Sequence, residues 1–277
     1  MKRFVIVTLI FLVGIGVLAY PTVSHHLAEK NSSKAIQEHT EIIDGLDEVE
    51  LARQWAAAEE YNESLTGQPV HDPFLKGTGM AMPDDYRQVL NVSGMMAYLE
   101  IPKISLSLPI FHGTADSVLQ RGTGHLEGST LPIGGRSRHT VITGHTGLSH
   151  AKLFTDLAEL EQGDLFYIHV LGETLAYQVD EIKVIEPEIT EDLQRFEGKD
   201  YATLLTCTPY GVNSHRLLVR GERVEYVAAA RDAIAPLTGT SIDRLVLRAA
   251  LLTAAAMMVL IVGVVIVKRR RKDRKKP

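Results

Sequence analysis

A single cysteine occurs in the 277 residues, Cys207, in the run Thr203-Leu204-Leu205-Thr206-Cys207-Thr208-Pro209-Tyr210. A lone thiol forms no internal disulfide, and this one closes a β-type run just before a Pro209-Tyr210-Gly211 turn signal. Such a thiol suits a nucleophile better than a core filler, provided a base and an oxyanion partner reach it. The thiolate is the reactive form, the free thiol has a pKa near ~8.5, and cationic neighbours favour ionisation. Arg216 lies nine residues on. A hairpin through Thr208–His215 can bring both side chains to one mouth, with Gly211 and Asn213 suited to its tight part. Arginine there adds fixed donors for a tetrahedral oxyanion. Nucleophilic acyl transfer is the chemistry these residue types support.

Eleven histidines compete for the role of base. His145, in Thr143-Gly144-His145-Thr146-Gly147, follows a strand-like run and sits between two glycines, a junction where functional groups are displayed. His215 adjoins Arg216, but strand alternation points it to the opposite face. His125, His139 and His150 remain open on spacing alone. No His/Cys cluster has metal-ligand spacing, so neither a metal nor another cofactor is expected. No close carboxylate pair suggests glycosidase work.

The elements that must position these residues are mainly β. From about Gly94 the pattern reads as strands. Ile104 to Ile110 alternates strictly, and Thr140 to Thr143, Leu165 to Val170, Leu175 to Ile185, Ala202 to Cys207 and Arg216 to Tyr226 follow. Pro109 marks a ladder end or an edge. Short helices are expected at Ala115 to Gln120 and His150 to Leu160. Many short strands at regular spacing imply a barrel or a sandwich. Ahead of them, residues 34–62 read as helix with a break at Gly45. Residues 66–84 are punctuated by Gly and Pro and form a long loop.

Two uncharged apolar runs flank this region. Phe4 to Tyr20 follows Lys2-Arg3, and Ala249 to Val267 precedes Lys268-Arg269-Arg270-Arg271-Lys272. Each approaches the ~20 residues that span a bilayer as a helix. The first reads as an uncleaved anchor, with a cleaved signal peptide as the alternative. Basic residues at both outer ends put both termini in the cytoplasm and the middle outside the cell membrane. Charge agrees: the total is −5, Lys2-Arg3 gives +2 and residues 268–277 give +7, leaving −14 on residues 4–267. The basic tail beside a span is explained by anionic membrane lipid rather than nucleic acid.

The order His145, Cys207, Arg216, and above all the stretch from Thr206 to Gly221, resembles the sortases, membrane-anchored cysteine transpeptidases of Gram-positive bacteria. The likeness covers roughly residues 94–226. The short Cys-to-Arg spacing, two spans and a helical arm resemble the class C, pilin-polymerising branch. The resemblance implies an eight-stranded β-barrel with an N-terminal helical arm and a transmembrane helix at each end. It implies that Cys207 cleaves LPXTG-type sorting signals through a thioester, which a pilin lysine then resolves. His145 would be general acid and then base, and Arg216 would hold substrate and oxyanion. Partners would be LPXTG-bearing pilin or surface proteins and membrane lipid.

It also gives His71-Asp72-Pro73-Phe74 a meaning, since class C members carry an Asp-Pro-aromatic lid. Asp72 would then pair with Arg216, and Phe74 would lie over Cys207 and His145. On residues alone the segment is an ordinary Asp-Pro turn. The implied division is an anchor or signal at 1–23, an arm at 24–65, a lid loop at 66–93 and a catalytic barrel at 94–226. A linker at 227–248, a transmembrane helix at 249–267 and a cytoplasmic tail at 268–277 follow. Two alternatives stay in view: a housekeeping sortase serving a cell-wall precursor, and a non-catalytic membrane adaptor with an inert Cys207.

Overall fold

The computed structural model describes residues 2–65, 70–75 and 85–228. Side chains of residues 2–10, 12 and 18 also lie outside that description. Two helices come first, α1 (Lys2–Asp44) and α2 (Glu48–Ser64). They part at Gly45, as the sequence predicts. The Gly45 amide donates to the Glu41 and Ile42 carbonyls, and Asp47 then caps α2 by accepting from the Glu50 amide at 2.8 Å. α1 is continuous across the expected anchor–arm boundary at residue 23 and contains Pro21. Among the described residues no helix is long and apolar enough to cross a membrane. The second expected span, the tail and most of the linker lie outside the described residues. The two-span expectation therefore gains no support from the fold.

Eight strands close a barrel: β1 (Ala97–Ile101), β2 (Leu106–His112), β3 (Thr123–His125), β4 (Arg138–Thr143), β5 (Leu165–Val170), β6 (Glu173–Ile185), β7 (Asp200–Thr208) and β8 (His215–Val224). Their spatial order is β1-β2-β3-β4-β7-β8-β6-β5. The order brings β4 beside β7 in parallel, with Thr143 opposite Leu205. β7 and β8 pair antiparallel, with Cys207 opposite Arg216.

Alternation sorts β4, β7 and β8 into two faces. Ile142, Ala202, Leu204, Leu217 and Val219 belong to the main core cluster. Val141, Leu205 and Leu218 belong to a second cluster, which also contains Val70 and Leu193 and against which Phe74 packs. Cys207 and Arg216 share the parity of this second face. The residues 70–75 thus roof the same patch that carries Cys207.

Three differences from expectation have local causes. β1 alternates, with Ala97, Leu99 and Ile101 buried, but the apolar Met95 and Met96 before it blur its start, and the three-residue β3 is too short to show a period. The helix expected at His150 to Leu160 is a single 3-10 turn, Leu157–Glu159. Ala151, Leu153, Phe154, Leu157 and Leu160 are all buried, which mimics helical periodicity, but Leu153 adopts φ 40 and interrupts any helix. Ile104 ends a 3-10 turn, and Ser105 at φ 52 separates it from β2. Pro109 is tolerated within β2 because its carbonyl, which accepts from Thr123 Oγ1 at 2.8 Å, faces β3, whose ladder begins only at Ile110. The arm is fastened by Asn62, buried in α2, which accepts from the Leu131 amide at 2.7 Å and donates to its carbonyl at 3.3 Å.

Candidate active site

Cys207 stands one residue from the end of β7, and its opposite number on β8 is Arg216. The loop between them turns tightly through Gly211 at φ 74 and Asn213 at φ 59. Both positions match the sequence reading, since glycine and asparagine tolerate the left-handed region.

His145 follows β4 directly and is tied to the cysteine strand by backbone. The Gly144 amide donates to the Leu205 carbonyl at 3.1 Å. Thr206 Oγ1, buried, donates to the Gly144 carbonyl at 2.7 Å. The peptide before His145 is therefore held by the two residues that precede Cys207. Gly144 is required by packing: a Cβ there would lie 2.8 Å from Cδ2 of the buried Phe154. The Phe154 amide in turn donates to the His145 carbonyl at 3.0 Å.

The segment 71–74 closes over these groups. Asp72 is 3% exposed and Arg216 4%. They form a bidentate pair, Arg216 Nε to Asp72 Oδ2 at 2.5 Å and Nη2 to Oδ1 at 3.0 Å. Asp72 Oδ1 also accepts from the amides of Phe74 at 2.9 Å and Leu75 at 3.1 Å, which shapes the turn. The Phe74 ring lies 5.4 Å from the His145 ring, and the Arg216 guanidinium sits 5.1 Å from its centroid. Phe74 thus touches both His145 and Arg216. Arg216 Nη1 donates to the carbonyls of Asn213 at 3.2 Å and His215 at 3.0 Å, so its fork is fixed by its own hairpin.

Electrostatics depart from the expected thiolate between two cations. Burial pushes the Cys207 thiol up, Arg216 pulls it down, and Asp72 raises it again. Burial lowers His145, partly offset by Asp116, whose Oδ1 is 3.8 Å from His145 Nε2. That distance is too long for a hydrogen bond, and the buried Nε2 has no such partner among the described residues. With residues 70–75 in place, the site thus favours a neutral thiol beside a neutral imidazole. The physical reason is that the roof removes water and occupies the guanidinium with a carboxylate.

The other histidines are engaged elsewhere. His125 is fully buried between the Tyr86 hydroxyl at 2.8 Å and the Thr130 carbonyl at 2.9 Å. His139 is bracketed by the Gln194 carbonyl and Thr203 Oγ1, each at 2.7 Å. His150 faces the Gln120 carbonyl at 3.2 Å. His215 contacts Ser214 Oγ at 2.8 Å. Arg220 is held by Asp180 and Glu181 and stacks on Tyr201, so it serves the barrel wall. Among the described residues no group of His, Cys, Asp and Glu could hold a metal. Sequence reasoning missed Asp116, which no motif marks; to Thr206, a member of the β-type run beside the thiol, the structure adds the hydrogen bond that holds Gly144.

Comparison with known proteins agrees with this geometry. The Sortase domain family matches residues 99–224. The fold is similar to sortase C-1 from Streptococcus pneumoniae, at 47% identity and a TM-score of 0.67, covering 70% of this chain and 100% of that one. It is similar to sortase C1 of GBS Pilus Island 1, at 44% identity and a TM-score of 0.66, covering 76% and 97%. A curated sortase A from Bacillus anthracis is 26% identical over 223 residues, 79% of this chain and 93% of the relative. The higher identities lie with the class C structures. A lone thiol registered against an arginine, beside a histidine at a strand end and within such a barrel, makes this chain a member of the sortase family of cysteine transpeptidases, with class C sortases as its structural neighbours.

Proposed function

We propose that this chain is a membrane-anchored transpeptidase of pilus assembly, which cuts LPXTG-type signals and joins the new carboxyl end to a pilin lysine. The observation that carries the reading is the Cys207–Arg216 register pair under the Asp72–Phe74 segment. That segment and the class C likeness favour pilin joining over transfer to a cell-wall precursor. The intact Cys207, His145 and Arg216 set argues against an inert adaptor. The uncharged runs 4–20 and 249–267, with their outer basic flanks, support an exterior catalytic domain.

The sequence of events begins with departure of Asp72 from Arg216. The freed guanidinium then has donors for the developing oxyanion, which an Arg otherwise spent on a carboxylate lacks. His145 accepts the Cys207 thiol proton as Sγ attacks the threonine carbonyl carbon of the Thr–Gly bond. His145 donates a proton to the departing glycine amine, and a thioester remains. A lysine ε-amine attacks the thioester, His145 accepts its proton, and the Cys207 sulfur leaves. The unpartnered His145 Nε2 is the atom suited to these transfers.

The test is incubation of the purified chain with an LPXTG-bearing pilin, read by covalent ladders on denaturing gels and by the mass of the acyl-enzyme. Wild type should give both, and Cys207→Ala neither. Ladders that persist with Cys207→Ala would overturn the reading.

A further inference from the structure

α1 leaves the barrel at the catalytic end. Near its C-terminus, Ile43 lies against Gly172, where a Cβ would be 3.7 Å from Ile43 Cγ2. Gly172 forms the β5–β6 turn, the pole opposite Arg216, because β6 runs from Glu173 to Ile185 and Ile185 is the residue registered with Arg216. Toward the other pole, Ser24 Oγ donates to the Ser149 carbonyl at 3.2 Å, and His25 Nε2 lies 3.3 Å from the Leu148 carbonyl. These carbonyls are three and four residues past His145. The helical stretch from Lys2 to Val23 therefore begins at the His145 loop and projects beyond it. At 1.5 Å per residue it is ~33 Å long, close to the ~30 Å of a bilayer core. Pro21 allows a bend, but it is only ~5 Å of helix rise from Ser24, so the exit point stays beside loop 148–149.

Exposed apolar side chains gather beside that exit, with Asp116, 3.8 Å from His145, as an exposed carboxylate at their edge. Val13, Val17, Tyr20 and Val23 of α1 are exposed. On the β7–β8 loop Tyr210 is 68% exposed and Val212 69%. Tyr210 is contiguous with the His145 loop, since a Cβ on Gly147 would lie 3.2 Å from its ring. Neither loop, 144–152 nor 209–215, contains an acidic residue, although residues 4–267 carry a net −14.

We propose that this pole of the barrel rests on the bilayer, with Tyr210 and Val212 seated among the lipid headgroups beside α1, so that the Cys207 site opens at the membrane–water boundary. The inference rests on the reading of residues 4–20 as an anchor. Its occupant is lipid because the exposed loop residues lie against the same His145 loop on which the apolar run of α1 emerges, Tyr210 at Gly147 and α1 at Leu148 and Ser149. Tyrosine is the residue type expected at that depth, with an apolar ring and a polar hydroxyl.

The test uses the full chain with Cys207→Ala in phosphatidylcholine–phosphatidylglycerol vesicles. Single cysteines are introduced as Val13→Cys, Tyr210→Cys, Val212→Cys or Val49→Cys and labelled with an environment-sensitive fluorophore. Val49, at the start of α2, reports the opposite pole. The expected result is emission at positions 13, 210 and 212 at least about twofold stronger than in detergent-free buffer, as apolar surroundings replace water, with quenching by nitroxide lipid and no change at 49. Lipid contact at 13 with water at 210 and 212 overturns the inference and leaves the anchor standing. Water at 13 removes the anchor and the inference together. Contact at 210 that arises only on adding an LPXTG peptide overturns the lipid assignment in favour of substrate docking.

Discussion

Replacing Asp72 by alanine should unmask Cys207. Asp72 holds its segment down through two hydrogen bonds to Arg216 at 2.5 and 3.0 Å, both side chains being almost wholly buried. Removing one partner of a buried pair costs about 3–5 kcal/mol, because the other charge is left uncompensated. Arg216 can recover part of that cost by admitting water once the segment lifts, so the lower figure applies. At 1.4 kcal/mol per decade, ~3 kcal/mol shifts the closed–open balance by roughly 150-fold toward open. Phe74 still contacts His145 and Arg216 and opposes some of this shift. An acceleration of at least about tenfold is therefore expected.

A second effect has the same sign. The Asp72 carboxylate raises the thiol pKa, and its loss lets Arg216 lower it, so more thiolate forms at neutral pH. The assay is the second-order rate of alkylation by iodoacetamide, followed by intact mass between pH 6 and 9. Opening raises the plateau, while the charge effect moves the midpoint to lower pH. Equal rates and superimposable pH profiles for wild type and Asp72→Ala would refute the reasoning.

Other substitutions probe the remaining parts. His145→Gln should reduce transpeptidation about 10²–10⁴-fold, the usual range for a positioned acid–base group, while the Cys207 mass and the melting curve stay intact. Thr206→Val removes the hydrogen bond to the Gly144 carbonyl; at ~1 kcal/mol the expected loss is about fivefold in kcat with little change in KM, and an unchanged kcat would show that Gly144 is held without it. Stability should fall in acid because His125 and His139 are buried neutral, each lowered from 6.5 to about 4. The unfolded chain binds those protons first, so the contribution is complete above pH 6.5 and is lost as pH falls toward 4, by ~3 kcal/mol for each histidine. Urea midpoints across that window check this, and His125→Gln should flatten the slope by about half.

The sequence by itself determined the local elements and the identity of the reactive groups. A lone cysteine at the end of an alternating run, and an arginine one hairpin later, are signals that local chemistry writes directly. So are Gly211 and Asn213, because only certain residues accept their backbone angles. Gly45 likewise marks the break between the helices. Tertiary structure decided the rest. Residues 145 and 207 are 62 apart in sequence, and only the parallel pairing of β4 with β7, which registers Thr143 with Leu205, brings the ends of their strands together. His145 is marked by its glycine-flanked strand end and by the sortase resemblance, but that His125 and His139 are spent on buried hydrogen bonds is a matter of burial that no spacing encodes. The pairing of Asp72 with Arg216 spans 144 positions and exists only because the closed sheet offers an outer apolar patch for Val70 and Phe74 to cover. The protonation states also belong to the fold, since the same thiol and imidazole that solvent would leave near their ordinary values are driven toward neutrality once that cover excludes water.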